Sequence, residues 1–428
     1  MVIIGFLMRG NGAHALGLPV RHLDWPMAQT STTHTAAPSL AIDPFADAFL
    51  AEPYGDHARM REAGAVVYLV PYGIYAMARY QEVFAALNDW RTYSSARGVG
   101  LQDFAKEVPW RPKSIVLETD PPLHDRTRRV LQRVMSPTAM RRLREDFERK
   151  AIRLVDRLLE QGEIEAVRDL AEAFPLEVFP DAVGLTREGR HNLLPYSTMV
   201  FNSFGPRNAI FQSSTAAAEP VLAWIHAQCA RGACSQDGFA ADIWAAHDAG
   251  EITAEEAPIL VRSLLTAGLD TTVNGFANAI LAFATFPAEW QRVRADRSLL
   301  KPAFDEVLRW DSPVQTFFRT TTRVVEVGGV AVPEGAKVLL FLGAANRDPR
   351  KWQEPERFDV TRKPMGHVAL GSGIHVCVGQ LVARLEAEVL FEALADRVQA
   401  FELLGEPRRK LNNTLRCLAQ LEVRLRAA

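Results

Sequence analysis

The segment Leu370-Gly-Ser-Gly-Ile-His-Val-Cys-Val-Gly379 sets one cysteine, Cys377, among three glycines, Gly371, Gly373 and Gly379. Glycine permits tight turns and lets the backbone approach a flat ligand closely. The periodicity that follows predicts an amphipathic helix over 377–397. That puts the sulfur at the positive end of a helix, where thiolate is favoured over thiol. Taken alone, a cysteine beside a turn reads more simply as a small buried hydrophobe. The rest of the chain decides between the two.

The chain has 428 residues, 48% of them apolar, which is enough to bury a large core around a cofactor. A net charge of −2 gives no general attraction to nucleic acid or to an anionic membrane. Four cysteines are too few for a disulfide scaffold, and no Cys-x-x-Cys or Cys-x-x-Cys-His unit occurs. The apolar run Met1–Met8 is far shorter than the ~20 residues that span a bilayer, and no clean cleavage site follows it. Residues 1–39 read as a disordered leader, with Met27 an alternative start, and the expected location is cytoplasmic. From Leu40 the composition is even, without repeat or linker, so 40–428 is expected to be one domain.

Helical periodicity dominates that domain: 139–161, 253–286, 301–310 and 377–397. Thr253-Ala-Glu-Glu256 is a capping box for the second of these, which is expected to run unbroken to Pro287. Strand signals are short: Val66–Val70, Thr320–Val327, Lys337–Phe341 and Leu421–Leu425. The expected class is mainly α with small β-sheets.

The Cys377 segment resembles the haem-binding loop of the cytochromes P450, Phe-x-x-Gly-x-His-x-Cys-x-Gly, with Leu370 in place of the phenylalanine. The resemblance implies haem b held by the Cys377 thiolate, whose electron donation favours O–O cleavage. It also implies that Leu370 alters the iron's redox potential. Further motifs follow in the family's order. His124 and Arg128 match its His-x-x-x-Arg and, with Arg319 and His375, would bind the anionic haem propionates. Ala267-Gly-Leu-Asp-Thr-Thr272 resembles its oxygen-activating helix, which assigns proton relay to Asp270 and a hydrogen bond to the activated oxygen to Thr271. Glu306-Val-Leu-Arg309 resembles its structural ion pair, completed by Arg357 or Arg362, and Ala345-Asn-Arg-Asp-Pro349 also matches. Each motif alone has an ordinary reading as core or surface charge; together, in order, they cover about 40–428. The resemblance therefore implies a single P450 domain enclosing haem between a long central helix and the Cys loop.

A finer resemblance is to bacterial P450s that oxidise para-substituted benzoates, typically by O-demethylation of 4-methoxybenzoate. It rests on Ala96–Leu101, Phe201–Pro206, Arg262–Ala267, Ser312–Phe318 and Asn412–Arg416. It implies a flat slot of Phe201, Phe204 and Phe317, extended by Leu117, Ala267, Val314 and Leu415, with Arg111, Ser114, Arg262 and Ser263 at the carboxylate end. Arg262 and Ser263 precede Thr271 by roughly two helical turns, ~12 Å, about the length of a benzoate with its para group at the iron. Without a Gly-x-Gly-x-x-Gly unit, electrons are expected from a ferredoxin with a separate reductase, docked near Arg126, Arg129 and Arg133. Dioxygen is the other partner. The rival readings are a P450 for a terpene or fatty acid, a peroxide-using relative, and a non-catalytic haem-binding sensor.

Overall fold

The computed structural model describes residues 35–109 and 111–428. The expected leader lies outside the described residues over 1–34. Its last residues, however, are placed: Thr35 bridges Val330, and Ser39–Leu40 form a strand parallel to Val67–Leu69. The expected boundary at 39/40 therefore falls inside a strand.

The described chain is mostly helical with small sheets. The longest helix, Pro137–Gln161, starts at Pro137 behind the cap Ser136 and stops at Gly162. It buries Phe147, Ala151, Leu154, Val155 and Leu158, and its main partner is the helix Gln380–Arg397, which brings Val382, Leu385, Val389, Leu390 and Phe391. A six-stranded mixed sheet runs in the order Ser39–Leu40, Val67–Leu69, Ile74–Met77, Lys337–Phe341, Thr316–Thr321, Tyr93–Ser94. Its register sets Phe317 opposite Leu340 and Arg319 opposite Val338. A three-stranded sheet joins Val398–Leu403, Glu422–Ala427 and Glu163–Glu165, and two hairpins complete the β structure. The strand expected over 320–327 is divided: Thr316–Thr321 belongs to the large sheet and Val325–Val327 pairs with Val330–Val332. No helix among the described residues is long and apolar enough to cross a membrane.

The helix expected over 253–286 is interrupted. It forms Glu256–Ala267 and Asp270–Thr285, with Gly268 and Leu269 between them. The capping box does form, Thr253 N–H donating to Glu256 at 2.9 Å and Glu256 N–H to the Thr253 hydroxyl at 3.3 Å. Two contacts accompany the break. Gly268 lies against the buried Phe179 ring, where a Cβ would come within 2.1 Å of Cζ. The Thr271 hydroxyl donates to the Ala267 carbonyl at 3.0 Å, a bond that competes with the backbone ladder.

Glu306 and Arg309 form a fully buried bidentate pair at 2.7 and 2.8 Å. Arg309 also donates to the carbonyls of Asn346, Pro355 and Arg357, so all five of its N–H donors are used. The third member is Arg362, not Arg357: Arg362 Nε donates to Glu306 at 3.1 Å, whereas the Arg357 side chain reaches out to Glu354 and contributes only its carbonyl. Removing one partner of a buried pair strands the other charge. Glu306→Ala is expected to destabilise the holoprotein by about 3–5 kcal/mol, Arg362→Ala by about 1–3 kcal/mol, and Arg357→Ala by under about 1 kcal/mol. Thermal unfolding of the three variants checks this order; equal losses at 357 and 362 would refute it.

Candidate active site

The Cys377 turn is built by backbone. Gly371 and Gly373 have φ of +71° and +65°, and a Cβ at Gly373 would lie 2.5 Å from the Leu87 carbonyl oxygen. The Cys377 N–H donates to the Leu370 carbonyl at 2.7 Å, closing the loop. The following helix begins at Gln380 with Gly379 as its cap, three residues later than expected. Cys377 thus precedes the helix, and the sulfur accepts from the amides of the first residues instead. Burial pushes the Cys377 thiol up; the Gly379 amide, Arg128, Arg384 and the Gln380 amide pull towards thiolate.

Four basic side chains converge next to this loop. His124 and Arg128 come from the helix Leu123–Val134, Arg319 from the large sheet and His375 from the loop itself. The two imidazoles stand edge-on with centroids 4.6 Å apart. Arg128 donates to the Val376 carbonyl and Arg319 to that of Phe318 at 2.8 Å. Burial brings Arg319 down to about 10, against the pull of Asp120. Burial, then Arg319, His124 and Arg128, brings His375 down to about 2. Nε2 of both histidines and Nε of Arg128 are buried with no hydrogen-bond partner among the described residues. Buried positive groups that repel one another are costly unless an anion sits among them.

At the helix interruption Ala267, Gly268 and Thr271 are accessible while Leu264, Leu265, Leu269 and Asp270 are buried. Asp270 turns away from that open side. Its carboxylate accepts from the Thr198 hydroxyl at 3.0 Å and from Asn274 at 3.3 Å. Burial raises its pKa, while Lys410, Thr198 and Asn274 pull it back.

Part of the set expected to bind substrate is brought together, namely the three phenylalanines with Arg111 and Arg262. Phe201 and Phe204 are perpendicular at 5.9 Å, Phe204 and Phe317 tilted at 5.8 Å, and Val314 bridges Leu415. Phe201, Phe204 and Leu415 are buried, while Leu117, Val314 and Phe317 are half-buried. The Arg111 guanidinium lies over the Phe204 ring at 5.2 Å. Arg111 and Arg262 donate to the same carbonyl, Pro112 O, at 3.3 and 3.1 Å. The Ser114 hydroxyl accepts from Leu117 N–H at 3.1 Å, and Ser263 donates to the Ile259 carbonyl at 2.9 Å.

Three neighbours escaped sequence reading. Glu118 takes Arg111 in a bidentate pair, Tyr196 is buried beside Arg262, Thr266 and Arg111, and Thr198 holds Asp270. None stands in a motif. The one local hint is the opposite charge of Arg111 and Glu118, seven residues apart in a segment with no helical period.

The cytochrome P450 family model matches residues 235–423. The chain is 56% identical to cytochrome P450 CYP199A2 of Rhodopseudomonas palustris, over 94% of this chain and 98% of that one. It is 32% identical to cytochrome P450 107B1 of Saccharopolyspora erythraea, over 92% and 99%. The structure of cytochrome P450 CYP109Q5 from Chondromyces apiculatus superposes with a TM-score of 0.76 at 30% identity, over 90% and 98%. A mainly helical fold with a cysteine turn backed by buried cations is that of a haem-thiolate enzyme. The chain belongs to the cytochrome P450 family and is a P450 monooxygenase.

That family binds haem through a cysteine thiolate, and the residues present fit it. Cys377 would ligate the iron, and the orphaned nitrogens of His124, Arg128 and His375, with Arg319, would take the propionates. The prediction that follows has opposite signs in the two forms. Arg319→Met is expected to lower haem retention, yet to stabilise the apoprotein by about 1–3 kcal/mol by removing a buried cation. Haem content and thermal unfolding of both forms check it; a destabilised apoprotein would refute it.

Proposed function

We propose that this P450 oxidises a small para-substituted aromatic monocarboxylic acid, with dioxygen and electrons from a ferredoxin. The observation that carries this reading is the convergence of Arg111 and Arg262 on the Pro112 carbonyl beside the Phe204 ring. Two guanidinium groups at the end of an aromatic slot suit an aryl carboxylate, since a buried carboxylate without donors is very costly.

Haem, when bound, supplies activation of dioxygen and insertion of one oxygen atom into a C–H bond. The chain's own residues do the rest. Phe201, Phe204 and Phe317 hold the ring flat, with Val314, Leu415, Leu117 and Ala267 as further walls. Arg111, Arg262, Ser114 and Ser263 fix the carboxylate, which leaves the para group to point along the interrupted helix towards Thr271. The apolar walls exclude water. Thr271 would donate its hydroxyl to oxygen by giving up the Ala267 carbonyl. Asp270, whose pKa burial raises, would pass protons from the Thr198 side. A methoxy substrate hydroxylated at its methyl group gives a hemiacetal, which collapses to formaldehyde and the phenol acid.

We place the ferredoxin against the helix Leu123–Val134. Arg126 and Arg133 are already tied to Glu256 and Glu251, so Arg129 carries most of the free charge there.

Titration of the ferric holoprotein with 4-methoxybenzoate is expected to move the Soret band from low to high spin. Arg262→Ala is expected to weaken that acid by roughly 10–100-fold and its neutral methyl ester much less. No spin shift in a protein whose reduced carbon-monoxide complex reports thiolate ligation would sink the reading and favour a terpene or fatty acid. Asp270→Asn is expected to slow product formation by about 100-fold or more without weakening substrate binding; an unchanged rate would remove Asp270 from the proton route.

A further inference from the structure

The carboxylate end of the slot contains an acid of its own. Glu118 is fully buried, and its two oxygens take Arg111 at 2.8 and 2.9 Å. The Ser114 N–H donates to Glu118 at 3.0 Å, and the Glu118 N–H donates to the Ser114 carbonyl at 3.1 Å. The segment 111–118 is therefore closed on itself by one ion pair. A small pocket touches both members of that pair and is lined also by Gly100, Gln102, Phe104 and Phe204.

Arg111 is not saturated by these contacts. Glu118 and Pro112 O use three of its N–H groups, and the other two have no partner among the described residues. Its side chain keeps 14% exposure where Glu118 has none. Arg262 reaches the same carbonyl from the helix Glu256–Ala267. Donors are thus still available to a ligand, but their charge is already halved.

The other ionisable groups facing Glu118 and Arg111 add little. Lys337 is tied to the carbonyls of Arg97, Gly98 and Gly100 at 3.1, 3.0 and 2.9 Å, and burial brings it down to about 7. Asp103, which faces Lys337, is paired with Arg97. Tyr196 is neutral in the working range, since burial raises it. Lys113 turns its ammonium to the Ala96 carbonyl at 2.6 Å, over the Phe104 ring. Above the Lys337 value, the groups that meet at the Pro112 carbonyl, Arg111 and Arg262 with Glu118, leave a single net positive charge.

We propose that Glu118 is a specificity-determining residue: by neutralising one of two converging arginines it matches the pocket to a monoanion and rejects dianions. The proposal rests on the aromatic-acid reading and deepens it. A monocarboxylate entering the site balances the remaining charge. An aryl phosphate, a dianion above its second pKa of about 6, brings one negative charge too many beside a buried carboxylate. Like charges brought together in a water-poor site are strongly repelled. Glu118→Gln keeps the shape and the acceptor for Arg111 while adding one unit of positive charge.

The test is a spin-state titration of wild type, Glu118→Gln and Glu118→Asp at a pH above the Lys337 value. The ligands are 4-methoxybenzoate, 4-methoxyphenyl phosphate and the neutral methyl 4-methoxybenzoate. The reduced carbon-monoxide complex reports intact thiolate ligation in each protein. Glu118→Gln is expected to improve the affinity for phosphate relative to benzoate by about tenfold or more, with the ester changed much less. Glu118→Asp, which keeps the charge, is expected to retain the wild-type ratio even if every ligand weakens. An unchanged ratio in Glu118→Gln, in a protein that binds benzoate, overturns the proposal and leaves the aromatic-acid reading standing. Wild type binding the ester but neither acid overturns both. A purely structural Glu118 would move all three affinities together and leave the ratio where it was.

Discussion

Buried positive charge is the constraint around which this protein is arranged. The buried Arg128 and Arg319, with His124 and the loop's His375, come from three distant parts of the chain and meet beside Cys377. Burial lowers both Arg128 and Arg319, and at His375 burial is joined by Arg319, His124 and Arg128. Such a cluster suits an anionic partner, and the propionates of a bound haem would supply it. The same group completes Cys377, whose thiolate is favoured by two amides and Arg128 but opposed by burial. With haem bound, the Cys377 loop and the basic cluster would therefore stabilise one another.

The second organising feature is the break at Gly268 and Leu269. A continuous helix would bury its own carbonyls and present only side chains. The break opens one face at Ala267, Gly268 and Thr271 while directing Asp270 to the opposite side, towards Thr198 and Lys410. In the proposed reaction, protons would then come from the protein interior and substrate from the open face. The two halves of the helix also divide the candidate residues: Glu256–Ala267 carries Arg262 and Ser263, and Asp270–Thr285 carries Asp270 and Thr271.

Much of this is legible in the residues. Lys337–Phe341 is a strand with the expected bounds, and the capping box at Thr253 forms as its spacing requires. The cationic cluster and the phenylalanine slot come together as the resemblance implied. What was not legible is non-local. The helix break involves Phe179, far from Gly268 in the sequence, and no periodicity within 253–286 reports it. The strand over 320–327 is divided because its two parts join different sheets, and alternation along one segment does not say which partner it meets. Arg357 and Arg362 are equivalent in sequence; only the fold shows that one turns to Glu306 and the other to the surface.

Two arginines paired with buried glutamates have nearly the same bond lengths and opposite consequences. Arg309 spends its remaining donors on three backbone carbonyls, and Arg362 closes the other side of Glu306, so nothing is left to bind a ligand. Arg111 has one carbonyl, an aromatic face and a pocket around it, so its pair with Glu118 remains chemically open. The difference lies in saturation rather than in the pair itself. A saturated ion pair fixes a fold, whereas an unsaturated one beside a cavity sets the charge that the cavity accepts.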